Sequence, residues 1–173
     1  MAAGRAISAV FRRLAEGTPG QVLDVLSPTV ELLADPEEDG LCTLRGVLAP
    51  GQAVPLHRHD DVEDFLILAG TQQVLVEGAQ GLEWAEVRAG DYVRVPPGVP
   101  HAHRNVGRVP AVDLIITTAQ LGRFFHEVGR PVAGSPRPAT PDDLARFAAI
   151  AAAYGYRLGS REENAAVGLH IAQ

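Results

Sequence analysis

One cysteine among 173 residues, Cys42, rules out an internal disulfide. None is needed, because a single domain of this length buries roughly two-thirds of its unfolded surface. Cys42 lies in the apolar run Leu41-Cys42-Thr43-Leu44, which assigns it to packing rather than to reactivity. Long hydrophobic runs are missing too, and no stretch approaches the about 18 apolar residues of a membrane span. Ala6 to Phe11, followed by Arg12-Arg13, lacks the preceding basic region, the full apolar core and the cleavage site of a signal peptide. A soluble cytoplasmic protein is therefore expected. Positive charge is also scarce, with 15 basic residues, all arginine, against 21 acidic ones and a net charge of −6. No dense basic run exists, which argues against a nucleic-acid partner.

What is present falls into three zones. Residues 1–20 hold a short amphipathic segment (Ile7, Val10, Phe11, Leu14) closed by Gly17-Thr18-Pro19-Gly20, a helical spacing with a stop. Residues 21–118 change to short β-branched runs cut by turn residues. Strands are predicted over 22–26, 29–33, 41–48, 65–68, 72–76, 82–87, 92–95 and 112–117. Many short strands without intervening helices mean a sandwich or barrel. Residues 119–173 turn helical again. Leu121, Phe124, Phe125 and Val128 form an i, i+3, i+4, i+7 stripe ended by Gly129 and Pro131. After a loop rich in proline and glycine, Thr140 is placed to cap a helix starting at Pro141, with Asp142 and Asp143 in its positive first turn. Leu144, Phe147, Ala148, Ala151 and Tyr154 are its expected buried face, and Gly155 its end. These helices are expected on the outside of the β-domain or on a second subunit. Pattern determines residues 160–173 poorly.

The chemistry concentrates between Gly51 and Asn105. The first half reads Gly51, five residues, His57, one, His59, three, Glu63, six, Gly70. On a regular strand residues 57, 59 and 63 share one face, and Glu63 can also reach the imidazoles around a strand end. Two imidazoles with a hard carboxylate suit a first-row divalent metal. The second half reads Gly90, five residues, Pro96, one, Gly98, two, His101, three, Asn105. Gly98 marks a tight turn that delivers His101 to the start of a new strand.

Together these halves resemble the two motifs of the cupin superfamily, with every fixed position filled at the family's spacing. The resemblance implies an all-β fold, the double-stranded β-helix or cupin jelly-roll barrel, here with an N-terminal helical segment and C-terminal helices. It implies that His57, His59, Glu63 and His101 ligate one divalent metal per chain. Fe is the natural occupant, with Mn, Ni, Co, Cu or Zn as alternatives. Four protein ligands leave two positions of an octahedral ion for water, dioxygen or substrate. Residues 121–131 and 141–156 look like the tail of quercetin-dioxygenase-like single-domain cupins, which implies a dioxygenase acting on an aromatic, enolic or polyketide-like small molecule. In that setting Glu63 is also the expected catalytic base. Two other readings stand beside it: a non-oxidative metal-dependent isomerase, cyclase or lyase, and a binding module without catalysis. The resemblance further implies a homodimer.

Other residues receive plainer roles. The glycines and Pro96 shape turns, and Asn105 is structural. His103 shares parity with His101 and is either an ordinary core or surface histidine or a second-layer group holding a ligand or a water. His126, His170, Arg58, Asp60 and Asp61 are expected in solvent. Phe65, Ile67, Val74, Val76, Trp84 and Tyr92 are the candidates to line a pocket, although a one-residue register slip inverts every face.

Overall fold

A computed structural model describes residues 14, 20–34, 40–79, 81–132 and 138–170. The expected N-terminal helix over residues 1–20 therefore lies outside the described residues, apart from Leu14 and Gly20.

Twelve strands are described: β1 (Val22–Asp24), β2 (Thr29–Leu32), β3 (Leu41–Leu48), β4 (Ala53–Arg58), β5 (Glu63–Ala69), β6 (Thr71–Gly78), β7 (Gly81–Arg88), β8 (Tyr92–Val95), β9 (His101–Arg104), β10 (Ala111–Thr118), β11 (Arg130–Pro131) and β12 (Arg157–Leu158). They form two antiparallel sheets rather than one closed barrel. The larger runs β11-β1-β2-β3-β10-β5-β8, and the smaller runs β12-β4-β9-β6-β7. This is the all-β jelly roll that the sequence implies.

The core lies between the sheets and draws on both. Leu23, Val30, Leu44, Phe65, Ile67 and Ile115 come from the larger sheet, and Val74 and Val87 from the smaller. Strand β3 shows why the layers form. Cys42, Leu44, Gly46 and Leu48 are buried at every second position, as a pleated strand packed on one face requires. Each of the two leucine side chains contributes about 1.5–3 kcal/mol when fully buried. Cys42 is wholly buried and makes no disulfide.

Helix α1 (Ala119–Val128) follows β10 directly. Thr118 caps it, the hydroxyl accepting from the Leu121 N–H at 3.1 Å. Leu121, Phe124 and Val128 are its buried stripe, as the spacing predicts. Helix α2 (Pro141–Ala153) begins with the capping box Thr140/Asp143. Its buried face differs from the predicted one: Phe147, Ile150, Ala151 and Tyr154 pack inward, while Leu144 is 39% exposed and Ala148 is also exposed. Leu144 and Ala148 instead border the cavity described below.

The chain after residue 118 also returns to the sheets. Arg157 and Leu158 pair with Arg58 and His57 of β4. A short helix α3 (Arg161–Ala166) follows, opened by a Ser160/Glu163 capping box. Asn164 of α3 is fully buried, and its side-chain oxygen accepts from the Leu56 N–H at 2.8 Å. That bond serves β4 where its ladder to β9 shifts register between Val54 and His57. No described helix is long and apolar enough to cross a membrane.

Candidate metal centre

Two turns and two strand ends build the site. His57 is near the end of β4, His59 lies just past it, Glu63 opens β5 in the other sheet, and His101 opens β9. The chain therefore crosses between sheets from residue 58 to 63, and Glu63 reaches the imidazoles around a strand end rather than along one strand face. His57 and His101 are direct register partners across β4 and β9. The Gly98 N–H donates to the His59 carbonyl at 2.7 Å, which fastens the two halves of the motif together.

Each of the four side chains offers one donor atom, and these atoms all lie within 4.8 Å of one another. Glu63 Oε2 stands 3.4 Å from His59 Nε2 and 3.2 Å from His101 Nε2. His57 Nδ1 donates to the Pro55 carbonyl at 2.8 Å, and His101 Nδ1 to the Val99 carbonyl at 2.9 Å. Those bonds leave a lone pair on each Nε2. His59 is buried with neither ring nitrogen hydrogen-bonded, and His101 Nε2 is likewise without a partner. Buried polar atoms are normally satisfied, and a bound ion would satisfy orphans that converge on one point. Burial and then the neighbouring His101 push the His57 imidazole well below its ordinary pKa. Burial would raise the Glu63 carboxyl, but His101 and His59 outweigh it and hold Glu63 well below the usual carboxylate range. Three imidazoles around a carboxylate are a donor set that fits a divalent cation.

The cluster opens on a cavity of about 1340 Å³. Tyr156 covers the cluster, its ring parallel to that of His57 at 5.9 Å and stacked on Phe124 at 4.2 Å. Burial, with Glu63 and Asp61 nearby, raises the Tyr156 hydroxyl well above its ordinary pKa and keeps it protonated.

The other predicted residues divide. Asn105 is structural: its amide donates to the Leu48 and Val109 carbonyls at 2.8 Å, and its oxygen accepts from the Gly107 N–H. His126, His170, Arg58 and Asp60 are exposed, as expected. Asp61 is a correction, since it is buried and accepts a hydrogen bond from the Thr118 hydroxyl. Thr118 also caps α1, so Asp61 ties the loop carrying His59 to that helix. His103 is buried against Phe65 and bonds to none of the four clustered residues, so it lines the cavity. Burial pushes its pKa down to about 4. Of the six pocket candidates only Phe65 lines the cavity. Ile67, Val74 and Val76 pack in the core, Tyr92 is exposed, and Trp84 lies under the Arg104 guanidinium.

Asp113 went unrecognised in the sequence. In Ala111–Thr118 the apolar Val112, Leu114 and Ile116 alternate with it, so a polar-outward reading sends Asp113 to solvent. The structure inverts that choice: Ile116 is 39% exposed and Asp113 only 7%. Asp113 Oδ2 accepts from Gln72 Nε2 at 3.0 Å, and Oδ1 has no hydrogen-bond partner. A signal was present in Gly46, the glycine within the inward row of β3, since glycine inside a strand marks a close approach. A Cβ there would lie 2.2 Å from Asp113 Oδ1.

Burial raises the Asp113 pKa from 3.8 to about 6. Between those values the folded protein holds a proton that the unfolded chain releases, so this group makes stability fall as pH rises through the window. Wild type should lose up to about 3 kcal/mol across it relative to Asp113→Asn. Urea unfolding at both ends of the window measures this, and parallel behaviour of the two proteins would refute it.

Residues 44–117 match the Cupin domain family, a stretch that holds all four clustered residues. Among solved structures the chain is similar to an uncharacterized conserved protein with a double-stranded beta-helix domain from Klebsiella pneumoniae. The identity is 16% and the TM-score 0.51, over 65% of this chain and 91% of that one. It is also similar to the cupin domain of Cnp3 from Schizosaccharomyces pombe, at 16% identity and a TM-score of 0.53, over 63% and 73% of the two chains. A third likeness is to oxalate decarboxylase from Lactobacillus farciminis in a formate complex. There the identity is 20% and the TM-score 0.50, over 58% of this chain and 30% of that one. No curated protein matches the chain. At these identities the likenesses establish the fold alone.

Proposed function

We propose that the protein, whose residues 44–117 match the Cupin domain family, is a metal-dependent dioxygenase of aromatic, enolic or polyketide-like small molecules. The observation that carries the reading is the convergence of His57, His59, Glu63 and His101, of which His57 and Glu63 line a cavity also lined by Phe65, Phe125 and Tyr156. A divalent ion held by those four residues, Fe first by donor type, supplies Lewis-acid and one-electron redox chemistry. The protein's own part is positioning and proton transfer. Phe65 and Phe125 offer flat apolar walls that hold a ring and exclude water. Glu63 lines the cavity beside the imidazoles and accepts the proton of a substrate hydroxyl at a carboxylate oxygen. Residues 121–131 and 141–156, whose pattern resembles the tail of quercetin-dioxygenase-like cupins, supply the cover over the site through Phe124 and Tyr156.

Oxygen-electrode measurements on iron-reconstituted protein with a panel of enols and phenols test the reading. The expected result is dioxygen consumption matched to substrate loss, reduced at least about 100-fold in His57→Ala, since removing even a supporting residue around a metal costs 10–100-fold. Turnover without dioxygen on a zinc-loaded protein would replace the reading with an isomerase, cyclase or lyase. Saturable binding without product would replace it with a binding module.

A further inference from the structure

Beyond the four clustered residues, the cavity is lined by a second buried carboxyl, that of Asp113. Asp113 Oδ1 is buried without a hydrogen-bond partner, and Asp113 lines the same cavity as Glu63. Gln72, itself 1% exposed, fixes the Asp113 carboxyl from one side, and Gly46 leaves the space that the other oxygen occupies. The surroundings are otherwise apolar: Val30, Phe65 and Ile115 line the same space. An apolar residue at position 113 would pack there with no polar atom to satisfy. Local choices that work against packing mark functional positions.

The ladder between β5 and β10 sets the spacing. Thr117 pairs with Glu63, Ile115 with Phe65, and Asp113 with Ile67. Asp113 therefore lies four residues along the strands from Glu63, a separation of about 13 Å at the usual rise. Between the two polar ends stand Phe65 and Ile115, side by side. A polar end, an apolar belt and a second polar end match a flat molecule of two fused rings with a hydroxyl at each end.

We infer that Asp113, oriented by Gln72, is a specificity-determining residue that binds a phenolic or enolic hydroxyl at the end of the substrate remote from the metal cluster. This rests on the functional reading above for the other end of the substrate, while the Asp113 contact itself involves none of the four clustered residues. The hydroxyl donates to Asp113, and an analogue lacking it leaves a buried acceptor unsatisfied.

Calorimetric titration of zinc-loaded protein provides the test. The probes are a naphthalene diol with hydroxyls at opposite ends and the corresponding mono-ol. Wild type is expected to bind the diol about tenfold more tightly or better, as charge-assisted hydrogen bonds to a buried carboxylate allow. In Asp113→Ala the two probes should bind alike, with metal content unchanged. Asp113→Asn keeps the side chain's shape and should reduce the preference to a few-fold, so the comparison survives if the alanine variant fails to fold. A role confined to packing would move stability without moving the ratio between probes. An unchanged ratio in both variants, equal affinities in wild type, or binding of neither probe overturns the assignment. Failure to load metal in wild type, or absent dioxygen consumption with a diol that binds in this way, counts against the functional reading instead.

Discussion

Wild-type protein purified without a tag should carry about one divalent ion per chain, and His57→Ala/His101→Ala should carry none. Both residues are removed because a single substitution leaves three converging donors, enough to retain an ion weakly. The pair is also the structural centre of the cluster, since His57 and His101 face each other across β4 and β9 with ring centroids 4.1 Å apart. Elemental analysis reads the metal directly, and unfolding gives an independent check. An ion present at about 1,000 times its dissociation constant stabilises the folded state by about 4 kcal/mol. For a chain of this length that is a melting-temperature shift of roughly 10 °C. A chelator should remove the shift from wild type and do nothing to the double variant. Absence of metal from both proteins after reconstitution, with no response to chelator, would end the metal-centre reading.

The largest effect on stability should come from Gly70→Ala, far from any chemistry. Gly70 makes the turn between β5 and β6 with φ +72°. An L-residue in that region costs about 1–2 kcal/mol. A Cβ there would also lie 2.3 Å from the Pro110 carbonyl oxygen and 3.0 Å from the Ala111 Cα. Those are backbone atoms at the start of β10, so relief requires moving a central strand of the larger sheet. The total expected loss is about 3–5 kcal/mol, a large fraction of the stability of an ordinary domain. Gly51→Ala is the control. Its φ is +80° with nothing within 4 Å of the added carbon, so only the conformational cost of about 1–2 kcal/mol applies. Urea unfolding of the two variants separates the contributions, and equal losses would show that the approach of Pro110 does not matter.

Residue pattern revealed the metal cluster more completely than the strands that carry it. Strand β3 was legible to its ends because Leu41–Leu48 alternates cleanly and turns bound it. Strand β4 was missed because Ala53–Arg58 has few β-branched residues and contains Pro55, which falls where the ladder to β9 shifts register. The strands β11 and β12 are two residues each and exist only through pairing with distant segments, so no local signal could show them. Helix α3 did have a signal, the Ser160/Glu163 capping box, in a region where the apolar pattern is weak. The four clustered residues were visible because their types and spacing match the two motifs that the sequence resembles. Asp113 was not, because its strand is apolar on both faces and only the partner Gly46 distinguishes inside from outside. Asp61 failed for a related reason: its burial depends on Thr118, 57 residues away.

The pairing of β12 with β4 has a consequence in time. His57 and Leu158 are direct partners in the finished sheet but about 100 residues apart along the chain. At a synthesis rate of roughly 5–20 residues per second, about 5–20 s pass between the appearance of one and of the other. Throughout that interval β4 presents an open strand edge, with two histidines beside it and the Leu56 N–H still lacking Asn164. An unpaired edge of this kind is a template for association with other chains. The nascent protein is thus open to misassembly at the strand that carries His57, and the arrival of residues 157–164 closes the window.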